Sequence, residues 1–305
     1  MRNTFINTVI QLSKERDETF FISGDAGLGV FCEFKDEYPQ RFINLGVAEQ
    51  NAISFAAGMA LVGFKVYYYN IIPFVLYRCY EQVRNDICYQ KLPVVLVGIG
   101  SGVTYAPQGM THYSIEDIGI AQTLPNLTVF SPIDPIEAEL AAHYSLEADT
   151  PVYVRLAKRG EPNIHSSRDF DITEPQVLKE GEGSALIFHG SISEEVMRAY
   201  ELLVKEDMYP TLISIPMLQP LHRNKLLGHL ENIRTVICVE EHYKICGLGS
   251  IVSRLLGHTS PHVEVVSMGI ENNYIHEIKN TQGMRDFYHI SAKDIAEITK
   301  KYMRE

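Results

Sequence analysis

Residues 92–99 read LPVVLVGI, an apolar run with no polar interruption. A strand of that composition must be covered on both faces, the environment of a parallel sheet between layers of helices. The flanking sequence supports this. Phe5, Ile6, Val9, Ile10 and Leu12 recur at helical spacing in 2–16, and 19–22, 65–69, 127–131 and 152–156 read as further strands. Residues 75–90 read as a helix, and Pro132 to Ala138 opens another with Pro in its first turn. The stretch 161–183 is polar, holds Pro162, Pro175, Gly181 and Gly183, and lacks sustained periodicity. Beyond it, 185–189, 211–215 and 236–239 read as strands, and 194–206 and 249–256 as helices. The expected fold class is α/β in two domains, each a mostly parallel sheet flanked by helices. The expected boundaries are 1–162, a linker at 163–182, and 183–305.

A chain of 305 residues, 46% of them hydrophobic, can bury cores for two domains. The net charge of -11, with no basic block, argues against a nucleic-acid or anionic-membrane surface. The five cysteines are scattered and odd in number, without metal-ligand spacing, and each is expected to be a small buried apolar residue. With no signal peptide and no long apolar span, the expected location is a reducing cytoplasm. No internal repeat or low-complexity tract is visible.

Three stretches carry candidate chemistry. The first is 41–63, RFINLGVAEQNAISFAAGMALVG: a short strand, broken at Gly46, then a helix expected to be buried on nearly all sides. Glu49 falls in the first turn of that helix. An acid there complements the helix dipole. In almost wholly apolar surroundings, it also needs a specific partner, which makes it a candidate catalytic group. The second is Ser23-Gly24-Asp25-Ala26-Gly27 after a strand, a turn suited to a site at a sheet's end. Its spacing is wrong for a phosphate loop. The third is the glycine-rich loop 100–112, GSGVTYAPQGMTH, which ends on His112. Glu240, Glu241 and His242 invite a metal reading, but have no ligand partner at helical or hairpin spacing and are expected to be structural.

GVAEQN with Ala57-Gly58-Met59-Ala60, YEQVRND at 80–86, the Thr111-His112 pair and VEEH at 239–242 resemble the transketolase family of thiamine-diphosphate enzymes over essentially the whole chain. The resemblance implies that Glu49 hydrogen-bonds the cofactor's aminopyrimidine ring and that an aromatic residue stacks on it. Phe74 is the first choice for that residue and Tyr77 the second, with Ile72 and Val75 competing for family aromatic positions. It implies that Asp25 faces the cofactor cleft and that His112 exchanges a proton with substrate oxygens. Arg2, Gln108 and either Lys158 or Arg159 fall at substrate-binding positions. Many transketolases carry a second His where Gly100 aligns and an acid where Gln108 aligns, so an ordinary pentose phosphate is a weaker expectation.

The family's diphosphate domain, with its GDG and downstream Asn, has no counterpart here. The resemblance therefore implies the C-terminal subunit of a split transketolase. A partner polypeptide would hold Mg²⁺ and the diphosphate, with a homodimer contact giving an α2β2 assembly. Two rivals share the layout: the β subunit of a 2-oxo-acid dehydrogenase, and a non-catalytic partner subunit that kept the fold.

Overall fold

The computed structural model describes residues 1–27, 29–158, 160–260 and 262–304. The first half runs α1 (Arg2–Ser13), β1 (Thr19–Ser23), α2 (Cys32–Glu37), β2 (Phe42–Asn44), α3 (Glu49–Leu61) and β3 (Lys65–Ile71). Two π-helical turns, Pro73–Tyr77 and Val83–Cys88, then flank α4 (Tyr80–Gln82). There follow β4 (Val94–Ile99), α5 (Asp117–Ala121), β5 (Thr128–Phe130), α6 (Pro135–Glu147) and β6 (Val152–Leu156). The second half runs β7 (Gln176–Lys179), β8 (Gly183–Phe188), α7 (Ser193–Val204), β9 (Thr211–Ser214) and β10 (Met217–Gln219). It continues through α8 (Arg223–His229), β11 (Ile233–Tyr243), α9 (Leu248–Thr259), β12 (Glu264–Ile270), α10 (Thr281–Phe287) and α11 (Ala292–Arg304).

The strands form a seven-stranded sheet, β10-β5-β6-β4-β3-β1-β2, and a five-stranded sheet, β12-β11-β8-β9-β7. Both are parallel except for an antiparallel strand at one edge, β10 in the first and β7 in the second. The apolar run at 92–99 supplies β4, fully buried and paired on both sides by β3 and β6. Phe5, Ile6 and Val9 of α1 join Ala138 and Ala141 of α6 on one face of this sheet. Ala52, Ile53 and Ala56 of α3 pack on the other face with Val75, Leu76 and Val83. This is the expected two-domain α/β layout.

Four features differ from the sequence reading. The expected linker contains β7, a half-exposed edge strand whose polar ends hide its strand character. The three-residue β10 crosses from the second half to pair with β5, so the halves share a sheet. One side of α3 is open: Val47, Leu61 and Val62 are 74%, 62% and 73% exposed, because no element among the described residues covers them. Cys79, Cys88 and Cys238 are buried, whereas Cys32 and Cys246 are exposed.

A buried polar centre ties the halves together. Arg155 of β6 donates from Nε to Asp117 Oδ2 at 2.7 Å, and Tyr153 donates to the same oxygen at 2.8 Å. The Arg155 Nη2 donates to the carbonyls of Ser114 and Glu241 at 2.9 and 3.0 Å. Both partners of the ion pair are fully buried. The Glu241 carboxylate accepts from Val103 N, Ser191 Oγ and Arg285 Nε, joining the loop after β4 to the second half. Gly102 lies against it at φ +59°, where an added Cβ would sit 2.2 Å from Glu241 Oε2. Glu240 accepts from the first N–H groups of α9, at Leu248 and Gly249. The His242 Nδ1 donates to the Tyr243 carbonyl, which leaves Nε2 to accept from Gly119 N at 3.3 Å. All three side chains of the EEH run find hydrogen-bond partners within the fold. Removing one partner of a buried ion pair leaves an uncompensated charge. Asp117→Ala is therefore expected to lower unfolding stability by about 3–5 kcal/mol in denaturant titrations.

A second cluster makes stability depend on pH. Asp134 caps α6 and accepts from the N–H groups of Ile164 and His165. Glu137, fully buried, accepts from Ile133 N and Ser214 Oγ, with His165 Nε2 3.7 Å away. Burial pushes the Glu137 carboxyl up to about 7, against the opposing pull of His165. Burial disfavours the His165 charge, but its hydrogen bond to Asp134 and the Glu137 field raise it overall. Both groups hold protons more tightly folded than unfolded. Their contribution is therefore complete at acid pH and is lost as pH rises, for Glu137 between about 4.5 and 7. Thermal unfolding between pH 5 and 8 should show melting temperature falling with pH, and Glu137→Gln should flatten that slope.

Candidate active site

Strand β1 lies between β2 and β3, so the connections around it leave in opposite directions. Such a reversal opens a crevice beyond the carboxyl ends of the strands. The turn after β1, the start of α3, the π turn after β3 and the loop after β4 all border this crevice.

Glu49 enters it through a short connection from β2. The Asn44 side chain donates to the Gly24 carbonyl at 3.0 Å and accepts from Gly46 N at 2.7 Å, turning the chain at a residue with φ +62°. Ala48 then starts α3 without a side-chain cap, and Glu49 occupies the first turn, where the helix dipole favours an anion. The Glu49 side chain is 5% exposed, and its Oε1 accepts from Arg78 Nη1 at 2.7 Å.

The π turn supplies the other side. Its wide ring closes with Arg78 N donating to Pro73 O at 3.0 Å. Arg78 is thereby stacked over Phe74, with its guanidinium carbon 4.4 Å from the ring centroid. The Phe74 ring meets the His112 imidazole edge-on, at 5.8 Å between centroids. Glu49, Arg78, Phe74 and His112 thus form one chain of contacts from three separate segments. The half-buried His112 pairs its Nδ1 with Thr111 Oγ1 at 2.9 Å. A hydroxyl can donate or accept, so this contact leaves both imidazole tautomers open and Nε2 able to give or take a proton.

Tyr105 extends the wall, 6.1 Å from His112 between ring centroids, with Lys158 Nζ 4.6 Å from its own centroid. Gly100 permits this: its φ is +94°, and an added Cβ would lie 2.0 Å from Tyr105 Cδ2. Gly27 similarly leaves room for Tyr69. Burial pushes the Tyr69 phenol up to about 12, opposed by the charge of Arg2, which also acts on Tyr105. Arg2, at the start of α1, therefore stands with Lys158 at the rim.

Asp25 and Gln108 are both exposed, on the turn after β1 and on the loop after β4. Tyr77 is not brought to the Glu49 cluster. Its hydroxyl donates to Glu116 Oε2 at 3.0 Å, on the side of α5. Arg159 lies outside the described residues. Arg78 and Tyr105 carried no assignment from sequence. In sequence Arg78 is marked only by its position four residues after Phe74. Among the described residues, no group of three or more His, Cys, Asp or Glu is placed to hold a metal ion, and no helix is long and apolar enough to cross a membrane.

The geometry defines an α/β chain with one shielded acid, an aromatic platform and an imidazole at the sheet's switch point. Residues 1–162 match the profile of the transketolase pyrimidine-binding domain, and 174–295 that of the transketolase C-terminal domain. The chain belongs to the transketolase family. It is 32% identical to an apulose-4-phosphate transketolase subunit of Actinobacillus succinogenes, over 87% of this chain and 86% of that one. It is 31% identical to the 1-deoxy-D-xylulose-5-phosphate synthase of Caldanaerobacter subterraneus, over 87% of this chain but only 42% of that protein. A solved structure described as a split gene transketolase, inactive beta4 tetramer, superposes with a TM-score of 0.89 at 28% identity, covering 99% of this chain and 98% of its own. These matches favour a transketolase subunit over both rivals.

Gly100→Ala is expected to push Tyr105 off His112. With the left-handed backbone strain, it should cost about 1–3 kcal/mol of stability in denaturant unfolding.

Proposed function

We propose that this chain is the C-terminal subunit of a two-chain transketolase that moves a two-carbon ketol unit from a ketose, free or phosphorylated, to an aldose. A partner chain is inferred to hold Mg²⁺ and the cofactor's diphosphate in an α2β2 assembly. One observation carries this reading: a carboxylate only 5% exposed, at the first turn of α3, within reach of an aromatic face and a histidine. The relatives support the division of labour. The apulose-4-phosphate transketolase subunit is matched over most of both chains, and the tetramer of beta chains alone carries the description inactive.

The residues present fit thiamine diphosphate. Glu49 offers a shielded carboxylate to a ring nitrogen, Phe74 a ring face, and Asp25 an exposed acid at the crevice. When bound, the cofactor supplies the carbanion and electron sink for breaking and remaking a carbon–carbon bond beside a carbonyl. This chain's task is position and protons. Glu49 exchanges a proton with the aminopyrimidine at a carboxylate oxygen, in a setting where few waters compete. His112 Nε2 gives or takes a proton at the substrate's oxygen. Arg2 and either Lys158 or Arg159 are assigned to substrate anions, and Gln108 to substrate hydroxyls or phosphate.

Mixing this chain with the partner chain should give cofactor-dependent ketol transfer, with neither chain active alone. In the assembled pair, Glu49→Gln should reduce turnover by about 10³-fold with little change in thermal unfolding. If this chain turned over unaided with thiamine diphosphate and Mg²⁺, or if Glu49→Gln kept near-wild-type rates, the proposal would fail.

A further inference from the structure

Arg78 holds both surfaces that the proposed cofactor ring requires. Its Nη1 donates to Glu49 Oε1 at 2.7 Å, and its guanidinium carbon lies 4.4 Å from the centroid of the Phe74 ring. A guanidinium is planar, cationic and rich in N–H donors, so it can stack on an aromatic face and hydrogen-bond a carboxylate together. An aminopyrimidine ring is also planar and bears N–H donors. It makes the same two demands, a flat aromatic face and a carboxylate acceptor. The Arg78 side chain is 49% exposed, while Glu49 is 5% exposed, so the guanidinium lies on the solvent side of the acid.

The local backbone adds to this. The Arg78 N–H is spent on Pro73 O and its carbonyl accepts from Gln50 Nε2 at 3.2 Å, so the main chain is fixed at both ends of the residue. The side chain beyond it is half-exposed and reaches Glu49 and Phe74 from the solvent side. Glu49 without a cofactor is a carboxylate among apolar groups, a situation that calls for a counter-charge.

We propose that Arg78 is a built-in place-holder: in the empty subunit its guanidinium occupies Glu49 and Phe74, and it withdraws when the aminopyrimidine takes that position. This rests on the cofactor reading above and adds a positioning residue to it. Arg78 keeps the acid paired and ordered before assembly. It also lowers apparent affinity, because only molecules with Arg78 displaced accept the ring.

The assembled pair, with Mg²⁺, tests this by calorimetric titration with thiamine diphosphate. Arg78→Met removes both contacts and should bind the cofactor about threefold to tenfold more tightly than wild type, following the gain in competent fraction. Arg78→Lys keeps the charge but not the planar face, and should fall between the two. In thermal unfolding, Arg78→Met should melt below wild type without cofactor, and the gap should close or reverse at saturation. Unchanged or weaker binding by Arg78→Met, with a melting gap that persists at saturation, would make Arg78 a permanent partner of the bound state and overturn the place-holder. Should Arg78→Met not fold, the Arg78→Lys titration decides by the same sign. A wild-type pair that fails to bind thiamine diphosphate at all would instead overturn the cofactor reading, and the place-holder with it.

Discussion

A carboxylate taken out of water must find a partner, and Glu49 organises its surroundings on that condition. It begins a helix whose dipole favours an anion, and the helix's Ala52, Ile53 and Ala56 are buried against the sheet. Its counter-charge comes from Arg78, on a segment 29 residues further along the chain. That segment starts as a π turn, and it sets Arg78 over Phe74 and beside the acid. The chain thus spends its least regular helix where an acid has to be met.

The opposite wall of the crevice depends on a different buried charge. The loop that carries His112 is long and glycine-rich, yet it is tied at Val103 by Glu241 and at Ser114 by Arg155. Tyr113 pins it again, donating to the Ala106 carbonyl at 2.8 Å. Glu241 belongs to the second half of the chain, so the position of the imidazole is held from across the domain boundary. This gives the C-terminal half a physical part in the site although it contributes none of the candidate reacting groups.

Much of this was legible in the sequence because it rested on local pattern. An unbroken apolar run means a covered strand, and an acid in apolar sequence at a helix start calls for a partner. Glu49, Phe74 and His112, which the family resemblance singles out, are linked by contacts that run through Arg78. What was illegible depended on register or on distant partners. Tyr77 is the second candidate, after Phe74, for the family's stacking aromatic. The wider π turn leaves Tyr77 directed at Glu116. Arg78 reads as a surface cation until its acid is known. β10 is three residues long and β7 is polar-ended, so neither announces a strand, although one carries the second half of the chain into the first sheet. The open side of α3 looked like core because its residues are apolar, and only the three-dimensional arrangement shows that nothing among the described residues covers it.

In the proposed function, Glu49 acts on a ring whose charged tail is gripped by another polypeptide. The most direct measurement is a structure of the assembled pair with thiamine diphosphate and Mg²⁺ bound. The Glu49 carboxylate is expected within hydrogen-bond distance of the aminopyrimidine, at the junction of the two chains, with the metal and diphosphate held by the partner. A cofactor bound wholly within one chain, or a Glu49 carboxylate turned to bulk water away from the junction, would contradict it.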